Sequence, residues 1–141
     1  MPVPCQLTMQ KTFKREISSL EGIFAFIQDF FARECIASRH LYSVSLAAEE
    51  LFTNMVKYNP GNANDILIDV STAGDQLRLT LTDLDVDSFD VTQARPAPRG
   101  VPLQDLRGGG FGLCLVQQMV DGMAYDYEGR RSTVTVTKKL R

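Results

Sequence analysis

Two runs of alternating residues constrain this chain more than any other feature. In "DILIDVS" (65–71) and "QLRLTLTD" (76–83) apolar and polar side chains trade places along the backbone, the mark of strands with one face to bury. Leu77, Leu79 and Leu81 point one way, and Arg78, Thr80 and Thr82 the other. Joined at "TAGD" (72–75), the two runs predict a hairpin. A sheet with one apolar face needs a layer to cover it, and helical spacing supplies one. In "SLEGIFAFIQDFFARECI" (19–36) Leu20, Ile23, Phe24, Ile27, Phe30 and Phe31 form a single stripe. A second helix over 41–58 puts Val44, Ala48, Leu51 and Met55 on one side and stops at "NPGN". A strand over 6–14, a third helix over 111–121, and closing strands "MAYDYEG" and "STVTVTKKL" complete the order β-α-α-β-β-α-β-β. That order predicts an α+β two-layer sandwich, a mixed, largely antiparallel sheet with helices on one face.

At 141 residues and 44% hydrophobic content, the chain is expected to be one domain over 1–141, burying about two thirds of its unfolded surface. A net charge of -2 gives no basic excess for nucleic acid or an anionic membrane. No apolar run reaches the roughly 18 residues of a membrane span, and the start lacks the apolar core of a signal peptide, so a cytoplasmic protein is expected. Cys5, Cys35 and Cys114 form no CxxC pair and have only His40 to join them, which supports neither a disulfide framework nor a zinc site. Cys114 reads as a buried small hydrophobe. Residues 86–107 show no period, carry Pro96, Pro98 and Pro102, and are longer than an ordinary connection, as functional lids often are.

Three polar clusters stand out against this frame. On the second helix Glu50, Asn54 and Lys57 sit at i, i+4 and i+7, within about 60° of one face. An exposed face stitched by a Glu–Lys pair looks the same. The asparagine suggests more, because mid-helix Asn is a poor helix former whose amide oxygen suits Mg²⁺, with a carboxylate one turn away to act as general base. Asp83 ends a strand, where a carboxylate can accept a hydrogen bond from an exocyclic amine such as that of adenine. Calcium is a poor fit: Asp83, Asp85 and Asp87 occupy EF-hand positions, but Ser88 stands where glycine is required and Ala94 where glutamate is. The third cluster, Gly108 to Gly110 and Gly112, opens a helix. No Gly-Lys-Ser/Thr follows, and the run comes too late for a dinucleotide fingerprint. A glycine-rich turn into a helix N-terminus still offers bare N–H groups to a polyphosphate.

Taken together, "ELFTNMVKY" (50–58), Asp83 and "GGFGL" (109–113) resemble the N-box and the two glycine boxes of the GHKL ATPases, the Bergerat-fold superfamily that contains the histidine-kinase-like ATPase domains. Within it the short length, the "SFD" after the aspartates and "LRGGGFGLCLV" are most similar to the anti-sigma-factor serine kinases (RsbW-like). The resemblance implies ATP and Mg²⁺ as cofactors and the following roles. Glu50 is the general base, Asn54 holds Mg²⁺, Lys57 contacts phosphate, and Asp83 reads the adenine amine. Gly109, Gly110, Gly112 and Leu113 hold the lid end and the phosphates, and Thr133 supports adenine through a water. It further implies transfer of the γ-phosphate to a serine of an anti-anti-sigma (STAS-type) partner, sequestration of a sigma factor, and a homodimer.

The first glycine box of the family ordinarily reads Asp-x-Gly, whereas here the third residue is Asp85. Positive φ is uncommon away from glycine, although Asp is among the better tolerated residues. The departure implies weakened or abolished ATP binding. The extra carboxylates Asp85 and Asp87 would repel phosphates unless the metal or a lid arginine, Arg95, Arg99 or Arg107, offsets them. A nucleotide-gated switch of the same fold, without phosphotransfer, is the alternative. His40 has no helical hairpin around it to present a phospho-acceptor, so a structural or capping role is expected.

Overall fold

The alternating runs pair as their pattern requires. The computed structural model describes residues 8–59, 61–93 and 112–140. In chain order these form β1 (Thr8–Phe13), α1 (Leu20–Arg33), α2 (Leu41–Tyr58), β2 (Ile66–Ala73), β3 (Gln76–Leu84), α3 (Gly112–Met119), β4 (Gly122–Glu128) and β5 (Arg131–Lys139). The five strands lie in the order β1-β2-β3-β5-β4. Every pairing among the described residues is antiparallel, so the sheet is antiparallel throughout. The β4–β5 hairpin turns on Gly129 and Arg130, both at positive φ (57° and 61°), the turn whose twist matches that of the strands it joins.

One inner sheet face meets the helices. Ile66, Ile68 and Val70 of β2, Leu77, Leu79 and Leu81 of β3, and Val134 and Val136 of β5 are all fully or almost fully buried. They join Ile23, Ile27 and Phe30 of α1, Val44, Ala48, Leu51 and Phe52 of α2, and Val116 of α3 in one core. The outer face carries Arg78, Thr80 and Thr82, which alternation places opposite the leucines.

Two features of α1 differ from expectation. Phe26 is buried where Phe24 was expected, because i+3 from Ile23 and i−4 from Phe30 lies on the sheet-facing side. Its ring meets Phe13 edge-on at 5.7 Å and 75°. The helix also ends at Arg33 and not at residue 36. Cys35 takes the left-handed conformation at φ 53, and the Ile36 N–H donates to the Phe31 carbonyl at 3.0 Å, the αL termination normally built on glycine. Cys114 is half-buried, in contact with Gln118. His40 is buried just before α2 and makes no cap; its ring nitrogen meets the Leu140 carbonyl at 3.2 Å.

Cys35→Gly is expected to raise stability by about 0.5–1 kcal/mol in urea unfolding, since relief of the left-handed penalty outweighs the added unfolded-state entropy of glycine. A loss of stability would contradict that account.

Candidate functional site

At the end of β3 the inner face changes from leucine to a carboxylate. Asp83 follows Leu77, Leu79 and Leu81 in the inward register and is 1% exposed. A buried carboxylate needs partners, and it finds them on two other elements. Arg15, just past β1, has a side chain 5% exposed and pairs with it bidentately, Nη2 to Oδ1 and Nη1 to Oδ2. Asn59 Nδ2, at the end of α2, donates to Oδ2 at 3.4 Å. Arg15 Nη1 and Asn59 Nδ2 also donate to the Met55 carbonyl, at 3.0 and 3.3 Å, satisfying one of the carbonyls that a helix end leaves open. Arg15 Nε donates to the Asn64 carbonyl at 3.2 Å.

Asp83 lines a cleft with Asn54, Met55, Tyr58 and Asn59 of α2, Val86, Asp87, Phe89 and Val91 of the following segment, and Ser132 and Val134 of β5. The cleft encloses about 30 Å³, room for a water molecule or two. Tyr58 and Phe89 stack across it, centroids 4.9 Å apart and planes at 21°. Both rings are about half exposed.

The segment that closes the cleft is tied down at several points. The Val86 N–H donates to the Arg130 carbonyl at 3.0 Å, and Tyr127 donates its hydroxyl hydrogen to the Val86 carbonyl at 2.8 Å. The Phe89 N–H donates to the Tyr125 hydroxyl at 2.9 Å, and Gln117 of α3 donates to the Thr92 carbonyl at 2.8 Å. Val86 and Val91 are buried beneath it. Asp85 takes φ 57, a left-handed conformation that favours glycine. Its carboxylate accepts from Arg130 Nε at 2.9 Å, and Asp87 accepts from Arg130 Nη1 at 3.1 Å. The hydrogen bond that Arg130 donates to Asp85, and then the one it donates to Asp87, raise the guanidinium pKa above its ordinary value. The arginine that neutralises these acids among the described residues therefore comes from the β4–β5 turn. Arg95, Arg99 and Arg107 lie outside the described residues.

The N-box residues divide along α2. Asn54 faces the cleft beside Asp83. Glu50, one turn earlier, packs its carboxylate against Gly112, the first residue of α3, so closely that any Cβ there would overlap it. Lys57 is exposed and does not line the cleft. Leu113 is buried in the core, which leaves only its backbone for a ligand. Gly109 and Gly110 lie outside the described residues, as does most of the expected lid. Thr133 is not brought to the cleft: Ser132 pairs across the ladder with Asp83 and shares its face, while Thr133 points to the other. Sequence reasoning missed Arg15, Asn59, Arg130 and Ser132. Only Ser132 had a readable signal, since Val134 and Val136 place it on the inward parity.

The donor set suits a nucleotide in kind: a buried carboxylate for a base amine and an amide oxygen of Asn54 for Mg²⁺. The model of the histidine kinase-like ATPase domain matches residues 13–138. The chain belongs to that family. Three solved structures share its fold. The RsbU and RsbW domains of a Mycobacterium tuberculosis protein align with a TM-score of 0.68 at 16% identity, covering 99% of this chain and 33% of that one. This chain thus spans about one third of that structure. The SiaB–SiaC complex of Pseudomonas aeruginosa gives 0.59 at 12%, covering 92% and 88%. The histidine kinase AdeS of Acinetobacter baumannii gives 0.50 at 13%, covering 94% and 68%. At these identities the likeness is one of fold. A search of curated proteins found no match. No helix among the described residues is long and apolar enough to cross a membrane.

Gly112→Ala is expected to displace the Glu50 carboxylate, the far end of a flexible side chain, with a net change within about 1 kcal/mol in urea unfolding, since the helix propensity of alanine offsets the displacement. With Glu50→Ala already in place the same substitution should be more favourable; an unchanged effect would contradict the contact.

Proposed function

We propose that this chain is an ATP- and Mg²⁺-dependent protein-serine kinase and anti-sigma factor. It works as a cytoplasmic homodimer that phosphorylates a STAS-type anti-anti-sigma partner and sequesters a sigma factor. The observation that carries the reading is that Asn54 and Asp83 line one cleft while Glu50, one turn from Asn54, abuts the first residue of α3. Family membership supports nucleotide binding. The RsbW domain and the SiaB–SiaC complex among structures of the same fold are consistent with a partner-switching regulator.

In this reading Asp83 accepts a hydrogen from the adenine amine, and Ser132 takes the water-mediated role expected of Thr133. Asn54 supplies an oxygen to Mg²⁺, which when bound neutralises charge between the phosphates. Gly109, Gly110, Gly112 and the Leu113 amide approach the phosphates through bare backbone, and Lys57 contacts them from the helix surface. Glu50 takes the proton from the serine hydroxyl. General base catalysis of this kind contributes about 10²–10⁴-fold.

The second reading, a nucleotide-gated switch without transfer, draws on the stack of Phe89 on Tyr58 and the narrow cleft beneath it. Transfer of ³²P from ATP to a STAS-type partner separates the two. Glu50→Gln should lower transfer at least about 100-fold while ATP affinity stays within a few-fold. ATP binding without transfer in the unaltered chain would favour the switch, and absence of ATP binding would overturn both.

A further inference from the structure

One wall of the cleft leaves regular structure and is held from the edge strand. On β4 Tyr125 and Tyr127 stand opposite Val134 and Ser132 of β5, two residues that line the cleft, so both tyrosines share the inward face of the sheet. Their hydroxyls reach the segment after Asp83 at two peptide groups. Tyr127 donates to the Val86 carbonyl at 2.8 Å, while Tyr125 accepts from the Phe89 N–H at 2.9 Å and meets Ser88 Oγ at 3.2 Å. A segment that has left the ladder still needs partners for its N–H and C=O groups, and a phenol can serve either. Neither tyrosine lines the cleft itself.

The cleft encloses about 30 Å³, which holds a water molecule or two and is less than a nucleobase fills. Its lining therefore has to give when a base enters. The α2, β3 and β5 sides are fixed by helix and ladder hydrogen bonds. Val86, Asp87 and Phe89 belong to the irregular segment that the two tyrosines hold.

We propose that Tyr125 and Tyr127 set how tightly the cleft takes a nucleotide, as positioning residues that do not touch it: their hydroxyls hold the wall at 86–89 in its narrow arrangement, and a bound base displaces that wall against them. The inference rests on the nucleotide-binding reading above. The two hydroxyl bonds are made in the narrow cleft and lost in the widened one, so they oppose binding. Removing them returns that opposition as affinity. Phenylalanine keeps each ring and deletes the hydroxyl alone.

The test is isothermal titration of the full chain with ATP and Mg²⁺, for the unaltered protein, Tyr125→Phe, Tyr127→Phe and the double variant, beside urea unfolding of each. Each single variant should bind ATP about twofold to tenfold more tightly, the size of effect that one hydrogen bond produces, and the double variant more tightly still. Each should also be less stable than the unaltered chain. Tighter binding with lower stability is the signature, because a structural role alone would lower stability and leave affinity unchanged or weaker. If one variant does not fold, the other decides alone. ATP affinity unchanged or weakened in the variants overturns the assignment of the tyrosines and leaves the nucleotide reading standing. Absence of binding by the unaltered chain and by every variant overturns both.

Discussion

A carboxylate buried at the end of an otherwise apolar strand face is the constraint from which the site follows. Asp83 continues the inward register of Leu77, Leu79 and Leu81, so the hydrophobic packing that orders β3 carries a charge into the interior with it. Arg15 and Asn59 answer that charge and the open Met55 carbonyl together. The end of β1, the last turn of α2 and the end of β3 therefore meet at one point. Such a pair is weak evidence for added stability, because desolvation offsets most of the attraction. What it does is fix geometry, since each partner left alone would be an uncompensated buried charge.

The same junction orients the chemistry on α2. A helix that ends where Asp83 is held presents Asn54 to the cleft and Glu50 to the start of α3, as their spacing along one face requires. Gly112 accommodates Glu50 by lacking a side chain. Beyond Asp83 the chain turns through the left-handed Asp85 and lays Phe89 on Tyr58. Arg130 offsets the two acids exposed by that turn. Aspartate thus holds a left-handed position that favours glycine, and the hairpin turn supplies its counter-charge.

Much of this was legible in the sequence, for physical reasons that vary by element. The strands of the hairpin and the two long helices announce themselves because burial on one face imposes a period on the residues. The shared face of Glu50 and Asn54 follows from that period alone. Arg15 was not legible: a single arginine after a strand has no periodicity, and its partner lies 68 residues away. The early end of α1 was hidden because Cys35 occupies a position normally marked by glycine. Thr133 and Ser132 differ by one step of register, which is enough to exchange the two faces of a sheet. The expected apolar stripe takes Phe24 in preference to Phe26, whose spacing from Ile23 and Phe30 puts it on the buried face.

The account stands on Arg15 and Asp83 forming one buried unit, and a double-mutant cycle tests that most directly. Urea unfolding of Arg15→Met, Asp83→Asn and the combined variant should give a coupling energy of about 2 kcal/mol or more, with the combined variant losing less than the sum of the single losses. Additive losses, with a coupling near zero, would mean that the two groups do not meet in the folded chain, and the geometry built on them would fail.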